Sequence, residues 1–252
     1  MNLAGVEVGP KQPCRFVFEV SNAHNGDLAR ALRLIQAAKE VGADLVKFQA
    51  YTPDELVALR GDGPAPEPWG GDGWSMRMLY EKAQTPLAWF PALVAECQRV
   101  GIPWFASVFG ADSLAAMEAL KCPAYKIARL DNKAGPLAAA IAETGKITLM
   151  SRAKDERPKA YTDTYFLYCP AGYPAVVDWL PEFREFGHIG LSSHSLDPRL
   201  PVAAVAKGCK LIEMHGHLKA EPSELEANVS LSEDGWRRMI ADVRLTEALC
   251  GY

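Results

Sequence analysis

The chain has 252 residues, 49% of them hydrophobic and 23% charged, with 27 basic against 31 acidic side chains. That is enough chain to bury roughly three quarters of its unfolded surface without a disulfide or metal staple. A formal charge of −4 without any Lys/Arg-rich run argues against nucleic acid as a partner, and no apolar stretch approaches the roughly 20 residues that span a bilayer.

In chain order, 15–20 (RFVFEV) is a β-branched and aromatic run that reads as the first strand. Polar SNAHNGD leads into amphipathic 27–41, which Asp27 caps and Gly42 ends. A second strand, 45–50 (LVKFQA), is followed by 51–74, which contains RGDGPAPEPWGGDG. This is too rich in Pro and Gly for a helix and reads as a long loop, either a lid or a disordered segment. Strand 104–108, helix 111–120, strand 124–127, helix 136–144 and strand 147–150 come next. Residues 152–161 (RAKDERPKAY) leave little room for a normal fifth helix before strand 165–168. Helix 176–186, strand 189–192, helix 198–207, strand 211–214 and helix 233–250 complete the series.

Eight strands, most followed by a helix, over about 250 residues is the arithmetic of a (β/α)8 TIM barrel. Continuous apolar strands fit parallel pairing with both faces covered. An open doubly wound sheet would stop sooner and carry a GxGxxG turn after its first strand, which SNAHNGD is not. Gly and Pro are spread rather than gathered into a linker, so one domain over 1–252 is expected. The N-terminus, MNLAGVEVGPKQPCRF, lacks the charged start and apolar core of a signal peptide. The six cysteines show no CxxC pair, which points to reduced thiols in a cytoplasm.

The reactive face of such a barrel lies at the C-terminal ends of its strands, and nearly every exit here is polar. Glu19, Asn22, His24 and Asn25 follow the first strand, Lys47 and Gln49 end the second, and Ser107 lies near the end of the third. Lys126 and Arg129, then Ser151 and Arg152, then Cys169 and Tyr173 mark the next three. Ser192 and His194 close the seventh, and Glu213, His215 and His217 the eighth. A lone lysine is ordinarily a rim residue. Two lysines inside apolar strands, in VKFQ and YKIA, need anionic partners. Isolated ion pairs would satisfy them, but an anionic substrate, reinforced by Arg129 and Arg152, is the preferred expectation. His188 precedes its strand and falls on the stability face. His194 and His215 follow adjacent strands at corresponding points, with Glu213 nearby, a donor set suited to divalent Mn, Fe, Co or Zn.

The motifs FVFEVSNAHNGDLARALRLIQAAKEVGADLVKFQAYTPDEL, PAYKIARLDN, IGLSSHSLD and LIEMHGHL, in this order, resemble those of the sialic acid synthase family, which includes pseudaminic and legionaminic acid synthases. The likeness runs from Phe16 to Trp236. It implies a TIM-barrel transferase of carbohydrate biosynthesis. Such an enzyme condenses phosphoenolpyruvate with an amino-sugar aldehyde, releases phosphate and uses a divalent metal, usually Mn2+, with Mg2+, Co2+, Fe2+ or Zn2+ as alternatives. Carried over on matching positions, Lys47, Gln49, Lys126, Ser151 and Ser192 would hold phosphoenolpyruvate with Tyr173 beside it. His194 and His215 would be the protein's metal ligands, and Glu19 and Glu213 would lie near the reacting carbons, with Lys126 in the same catalytic group.

Departures from the family pattern are equally plain. Its hydroxylated turn after the third strand reads Ser107-Val108-Phe109, KIAS reads KIAR with Arg129, and STGM reads Ser151-Arg152-Ala153. Ala171 and Ser193 replace polar positions, and Ser223–Asn228 (SELEAN) stands where GPDH is expected. The family's C-terminal antifreeze-like domain, through which its barrels dimerise, is not expected in a chain ending at Tyr252. A homodimer would need another surface, and Trp69, Trp74 and Trp89 would serve an interface, a lid or the sugar itself. Two alternatives stand beside the synthase reading: a divergent lyase or aldolase using Lys126 as a Schiff base, and a catalytically silent barrel acting as a binding subunit.

Overall fold

The computed structural model describes residues 1–67, 69, 73–183 and 187–251. Eight parallel strands close into a barrel: β3 (Arg15–Glu19), β4 (Leu45–Ala50), β5 (Trp104–Val108), β6 (Ala124–Ile127), β7 (Ile147–Arg152), β8 (Thr164–Tyr168), β9 (His188–Ser193) and β10 (Leu211–Gly216). Pairing of β10 with both β9 and β3 makes the closure. A hairpin, β1 (Asn2–Leu3) with β2 (Val6–Glu7), precedes the barrel, and β11 (Ser230–Leu231) adds in parallel to β10. The fold is the expected (β/α)8 barrel.

Alternation along each strand sorts residues into two cores. Phe16, Phe18, Val46 and Phe48 point outward beneath the helices. Inside the barrel, Val17, Leu45, Phe105, Leu149, Leu167 and Leu211 form an apolar layer, and Leu3 and Val8 of the N-terminal hairpin plug it from below. Gly190 belongs to this interior, where β9 runs close to β10. A Cβ there would lie 2.2 Å from the Leu211 carbonyl oxygen, so only hydrogen fits.

Helices α1 (Leu28–Glu40), α5 (Ala111–Ala119), α6 (Gly135–Glu143), α7 (Arg199–Ala206) and α8 (Glu233–Cys250) follow the sequence pattern, with Asp27 capping α1 through the Ala29 N–H. The stretch 51–74 departs from it. Rather than a loop throughout, it opens with α2 (Pro53–Arg60), whose Thr52 and Glu55 form a reciprocal capping box with Pro53 in the first turn. The start signal in TPDE outweighs the Gly and Pro that come later. Helices α3 (Met76–Ala83) and α4 (Phe90–Val100) fill a region where the sequence pattern marked no element.

No helix joins β7 to β8 among the described residues, as the short 152–161 segment led one to expect. The helix expected over 176–186 is absent from 176–183, and 184–186 lie outside the described residues. Pro181 removes a donor from the middle of that segment and bars the helical region to Leu180 before it. The outer wall of β7 to β9 is covered by side chains instead. Arg152 lies 4.1 Å over the Phe166 ring, Tyr168 meets Trp179 edge-on at 5.3 Å, and Lys154 sits 4.7 Å over Trp179.

Two buried histidines support this frame as neutral acceptors. His24 Nδ1 accepts from the Gly26 N–H at 3.1 Å while Nε2 meets Thr85 Oγ1 at 3.0 Å, and His188 Nε2 accepts from Arg152 Nε at 3.0 Å. Burial pushes both imidazoles down to about 4. The unfolded chain therefore binds more protons than the folded one between pH 4 and about 6.5, and stability falls on acidification through that window. His24 alone contributes roughly 2 kcal/mol of loss by pH 5. The urea midpoint should drop between pH 7 and pH 5, and drop less in His24→Gln; equal pH dependence of the two proteins would contradict this. Gly190→Ala should lower stability by about 1–3 kcal/mol through overpacking, read as a reduced urea midpoint at unchanged slope.

Candidate active site

Two residues beyond the apolar layer, each strand presents a polar or sulfur-bearing side chain to the barrel interior. Glu19, Lys47, Ser107, Lys126, Ser151, Cys169, Ser192 and Glu213 are all buried. The register Glu19↔Lys47, Ser107↔Lys126 and Ser192↔Glu213 brings them side by side. Above them opens a cavity of about 470 Å3 that all but Glu19 line, together with Gln49, Arg129, Tyr173, His194, His215 and Glu226.

Both lysines have carboxylate partners. Lys47 Nζ pairs with Glu19, donates to Ser107 Oγ at 3.3 Å and lies 3.8 Å from Glu213 Oε1. Lys126 Nζ meets the same Glu213 oxygen at 2.9 Å, and the Ser192 hydroxyl donates to it at 2.8 Å. Burial opposes ionisation of Glu213, but Lys126 and Lys47 overcome it and hold the carboxyl at about 2. Burial likewise disfavours the Lys47 ammonium, yet Glu19 and Glu213 raise it above the ordinary lysine value. The structure thus realises the ion pairs that the sequence posed as the alternative to an anionic ligand. Vacant capacity lies elsewhere: Ser151 Oγ and Glu213 Oε2 are buried without a hydrogen-bond partner.

Arg129 stands at the cavity rim, held by Glu156 at 2.9 Å. Arg152, expected beside it, is a correction. It follows inward-facing Ser151, so alternation sends it to the outer wall against Phe166 and His188, away from the cavity.

Glu226 was not foreseen. It belongs to Ser223–Asn228, which replaces the family's motif, yet it returns to the barrel mouth and is buried there. The Ser21 hydroxyl donates to Glu226 Oε1 at 3.1 Å, Tyr173 donates to the same oxygen, and His215 Nδ1 lies 3.2 Å from Oε2. Gln49 Nε2 extends the network to Ser21 at 3.0 Å. Burial works against the carboxylate, but His215, Tyr173 and Ser21 bring it down to about 2. The legible signal was S-x-x-E capping spacing: the Glu226 N–H donates to Ser223 Oγ at 3.0 Å, and that hydroxyl donates to Asn22.

His194 and His215 face each other with ring centroids 5.2 Å apart. Burial pushes His194 to about 3, leaving it neutral. Burial would also lower His215, but Glu226 raises it above its ordinary value and occupies its Nδ1. One neutral imidazole beside another that is oriented by a carboxylate is a donor set that fits a divalent ion. Among the described residues no group of three His, Cys, Asp or Glu is arranged to hold one, so two protein ligands are the most this site would supply. Tyr173 packs 4.6 Å from His194, and Trp69 packs 5.7 Å from Tyr173 with its indole N–H donated to the Leu225 carbonyl at 3.1 Å.

Helix α2 is seated over the mouth by Glu55, whose Oε1 accepts from the Ser113 N–H at 2.9 Å near the start of α5. No helix is long and apolar enough to cross a membrane among the described residues.

Comparison with known proteins shows a match to the NeuB family over residues 34–252. Pseudaminic acid synthase of Campylobacter jejuni is 32% identical over 255 aligned residues, covering 93% of this chain and 74% of that protein. N-acetylneuraminate-9-phosphate synthase of Homo sapiens is 28% identical, covering 97% and 73%. Among solved structures, the N-acetylneuraminic acid synthetase of Leptospira borgpetersenii superposes with a TM-score of 0.83 at 22% identity, covering 100% of this chain and 90% of that one. The spore coat polysaccharide biosynthesis protein spsE of Bacillus subtilis gives 0.78 at 26%, covering 98% and 72%.

Removing Glu226 leaves the buried Ser21 and His215 and the half-buried Tyr173 short of a partner. Glu226→Ala should cost roughly 3–5 kcal/mol in urea denaturation and lower the His215 imidazole pKa, followed by NMR titration. Glu226→Gln should cost less. An unmoved His215 would show that Glu226 does not set its charge.

Proposed function

Because the chain belongs to the NeuB family, we propose that it condenses phosphoenolpyruvate with an aldose or amino-sugar aldehyde to give a 2-keto-3-deoxy sugar acid and phosphate. The observation that carries this reading is the polar layer itself. Hydroxyls, two ammonium groups and a rim guanidinium converge on one cavity whose Ser151 Oγ has no protein partner. A small substrate with both a phosphate and a carboxylate matches that set of donors.

Lys47, Lys126, Ser107, Ser151 and Ser192 would bind the two anionic groups, with Arg129 at the phosphate end and Gln49 and Tyr173 bordering the acceptor. C3 of phosphoenolpyruvate then forms a bond to the aldehyde carbon, whose oxygen takes up a proton. Water adds at C2, and the C2–O bond breaks to release phosphate. Glu213, which lines the cavity beside Lys126 and Ser192, would hold and move these protons, while Glu19, below the cavity, would act through Lys47. A divalent ion bound at His194 and His215, Mn2+ by analogy with the resembling enzymes, would supply Lewis acidity at the aldehyde oxygen. Lys126 Nζ is committed to Glu213 at 2.9 Å, a partnership that a Schiff base would have to give up.

Incubation with phosphoenolpyruvate, a divalent ion and a panel of aldoses should release phosphate only when an aldose is present. Glu213→Gln should reduce kcat by about 10²-fold or more, and borohydride should trap no adduct at Lys126. Absence of phosphate release with every aldose would refute the condensation.

A further inference from the structure

Ser151 Oγ has company as a vacant donor on the cavity wall. Arg129 Nε is also buried without a hydrogen-bond partner, and the two residues line the cavity at the exits of adjacent strands, β7 and β6. The guanidinium is not free to swing. Its Nη2 pairs with Glu156 Oε1 at 2.9 Å, and that carboxylate is itself fixed, because Oε2 accepts from the Ala153 N–H at 2.8 Å and from Asn132 Nδ2 at 2.9 Å. Burial opposes ionisation of Glu156, but Ala153, Asn132 and Arg129 together hold it below the ordinary glutamate value. The same Asn132 nitrogen donates to the Ser151 carbonyl at 3.0 Å. One buried amide therefore joins the strand end that carries the vacant hydroxyl to the carboxylate that holds the guanidinium.

The neighbouring Arg60 shows what a fully engaged rim arginine looks like. It donates to Asp131 through both Nε at 2.8 Å and Nη2 at 2.5 Å, which fills its fork. Glu156 takes Nη2 of Arg129 and leaves Nε open, so this ion pair orients the cation without saturating it. Two vacant donors on one rigid frame, one of them charged, suit a tetrahedral oxyanion. Depth argues that this oxyanion is the phosphate. The Arg129 and Glu156 side chains are 25% and 21% exposed, against 3% and 6% for Lys126 and Glu213 deeper in the barrel. The carbons that react must lie beside Glu213, whereas the group that is released must leave past the rim.

We propose that Glu156 is a positioning residue, which sets the Arg129 guanidinium so that its Nε, together with the Ser151 hydroxyl, receives the phosphate group of the anionic substrate. The inference rests on the condensation reading for the identity of that substrate, and it adds a residue that acts through Arg129 without touching the ligand. The role requires a carboxylate. One oxygen accepts from Arg129 and the other from two N–H donors, so the NH2 of a glutamine would face a donor in either orientation.

A double-mutant cycle on binding tests this, run beside the turnover assay. Phosphoenolpyruvate and inorganic phosphate are titrated calorimetrically onto wild type, Glu156→Gln, Arg129→Ser, Arg129→Lys and the double variant Glu156→Gln/Arg129→Ser. Phosphate release is followed with the aldose panel on the same proteins. Arg129→Ser and Glu156→Gln should each raise the Kd of both ligands by about tenfold. In steady state Glu156→Gln should raise the KM of phosphoenolpyruvate and leave that of the aldose within about twofold. Adding Glu156→Gln to Arg129→Ser should change either Kd by less than about twofold, because no guanidinium remains to be positioned. Arg129→Lys should not recover the affinity, since an ammonium lacks the planar fork that Glu156 orients. Unchanged or tighter binding in Glu156→Gln, or wild type that binds neither ligand, would overturn the proposal. An equal loss in both backgrounds would overturn it too, by making Glu156 a support of its own segment alone. Coupled binding without phosphate release from any aldose would refute the condensation and leave the positioning role standing. Aldose-dependent release by wild type with no coupling between Arg129 and Glu156 would do the reverse.

Discussion

Four charged side chains buried inside one barrel impose the constraint around which the rest is arranged. Glu19, Lys47, Lys126 and Glu213 are each at most 5% exposed, and an isolated ion so placed costs several kcal/mol. The barrel meets that cost by register. Glu19 stands beside Lys47 on adjacent strands, while Glu213 reaches across the interior to Lys126 and lies within 3.8 Å of Lys47. A polar layer of this kind is not the most stable filling for a barrel, since a second apolar layer would avoid the desolvation altogether. Its retention on all eight strands makes sense as preorganised chemistry, with charges and hydroxyls held in place before a ligand arrives.

That layer needs a rigid floor and an adjustable rim. The floor is the apolar interior from Val17 to Leu211, closed by the N-terminal hairpin, and it fixes where each strand presents its polar residue. The rim is made by excursions that depart from the simple strand–helix repeat. Helix α2 is carried over the mouth by Glu55 at the start of α5, and residues 221–228 fold back to insert Glu226. Where helices are missing behind β7 and β8, cation–π and edge-on aromatic contacts seal the barrel wall. An arginine that would have added charge to the mouth is spent on that wall.

Glu226 and Trp69 also show how the site is joined together. Glu226 links Ser21 after β3, Tyr173 after β8 and His215 of β10 through one carboxylate. Trp69 leans on Tyr173 and on the backbone of Leu225, one residue before Glu226. The imidazole pair and the Trp69–Tyr173 contact therefore share a support, and a shift of either excursion would be felt at both.

The eight strands and the polar residue at each exit were legible in the sequence because a doubly covered parallel strand must be an apolar run, so a charge within it is conspicuous. Lys47, Lys126, Ser192, Glu213 and His215 were found in this way. Over 176–183 apolar periodicity makes no helix because Pro181 interrupts it, and the Gly and Pro that follow α2 mask its capping box in the sequence. A polar strand end such as Arg152 carries no mark of which wall it faces until alternation is counted from Ser151. What the sequence by itself determined was the barrel and the layer at which its chemistry sits, since both follow from local periodicity. Tertiary structure alone decided that both lysines are already paired, that Glu226 returns to His215 and that Trp69 packs on Tyr173. Those contacts join residues up to about 200 positions apart, such as Ser21 with Glu226, and their energy depends on burial that exists only once the barrel has closed.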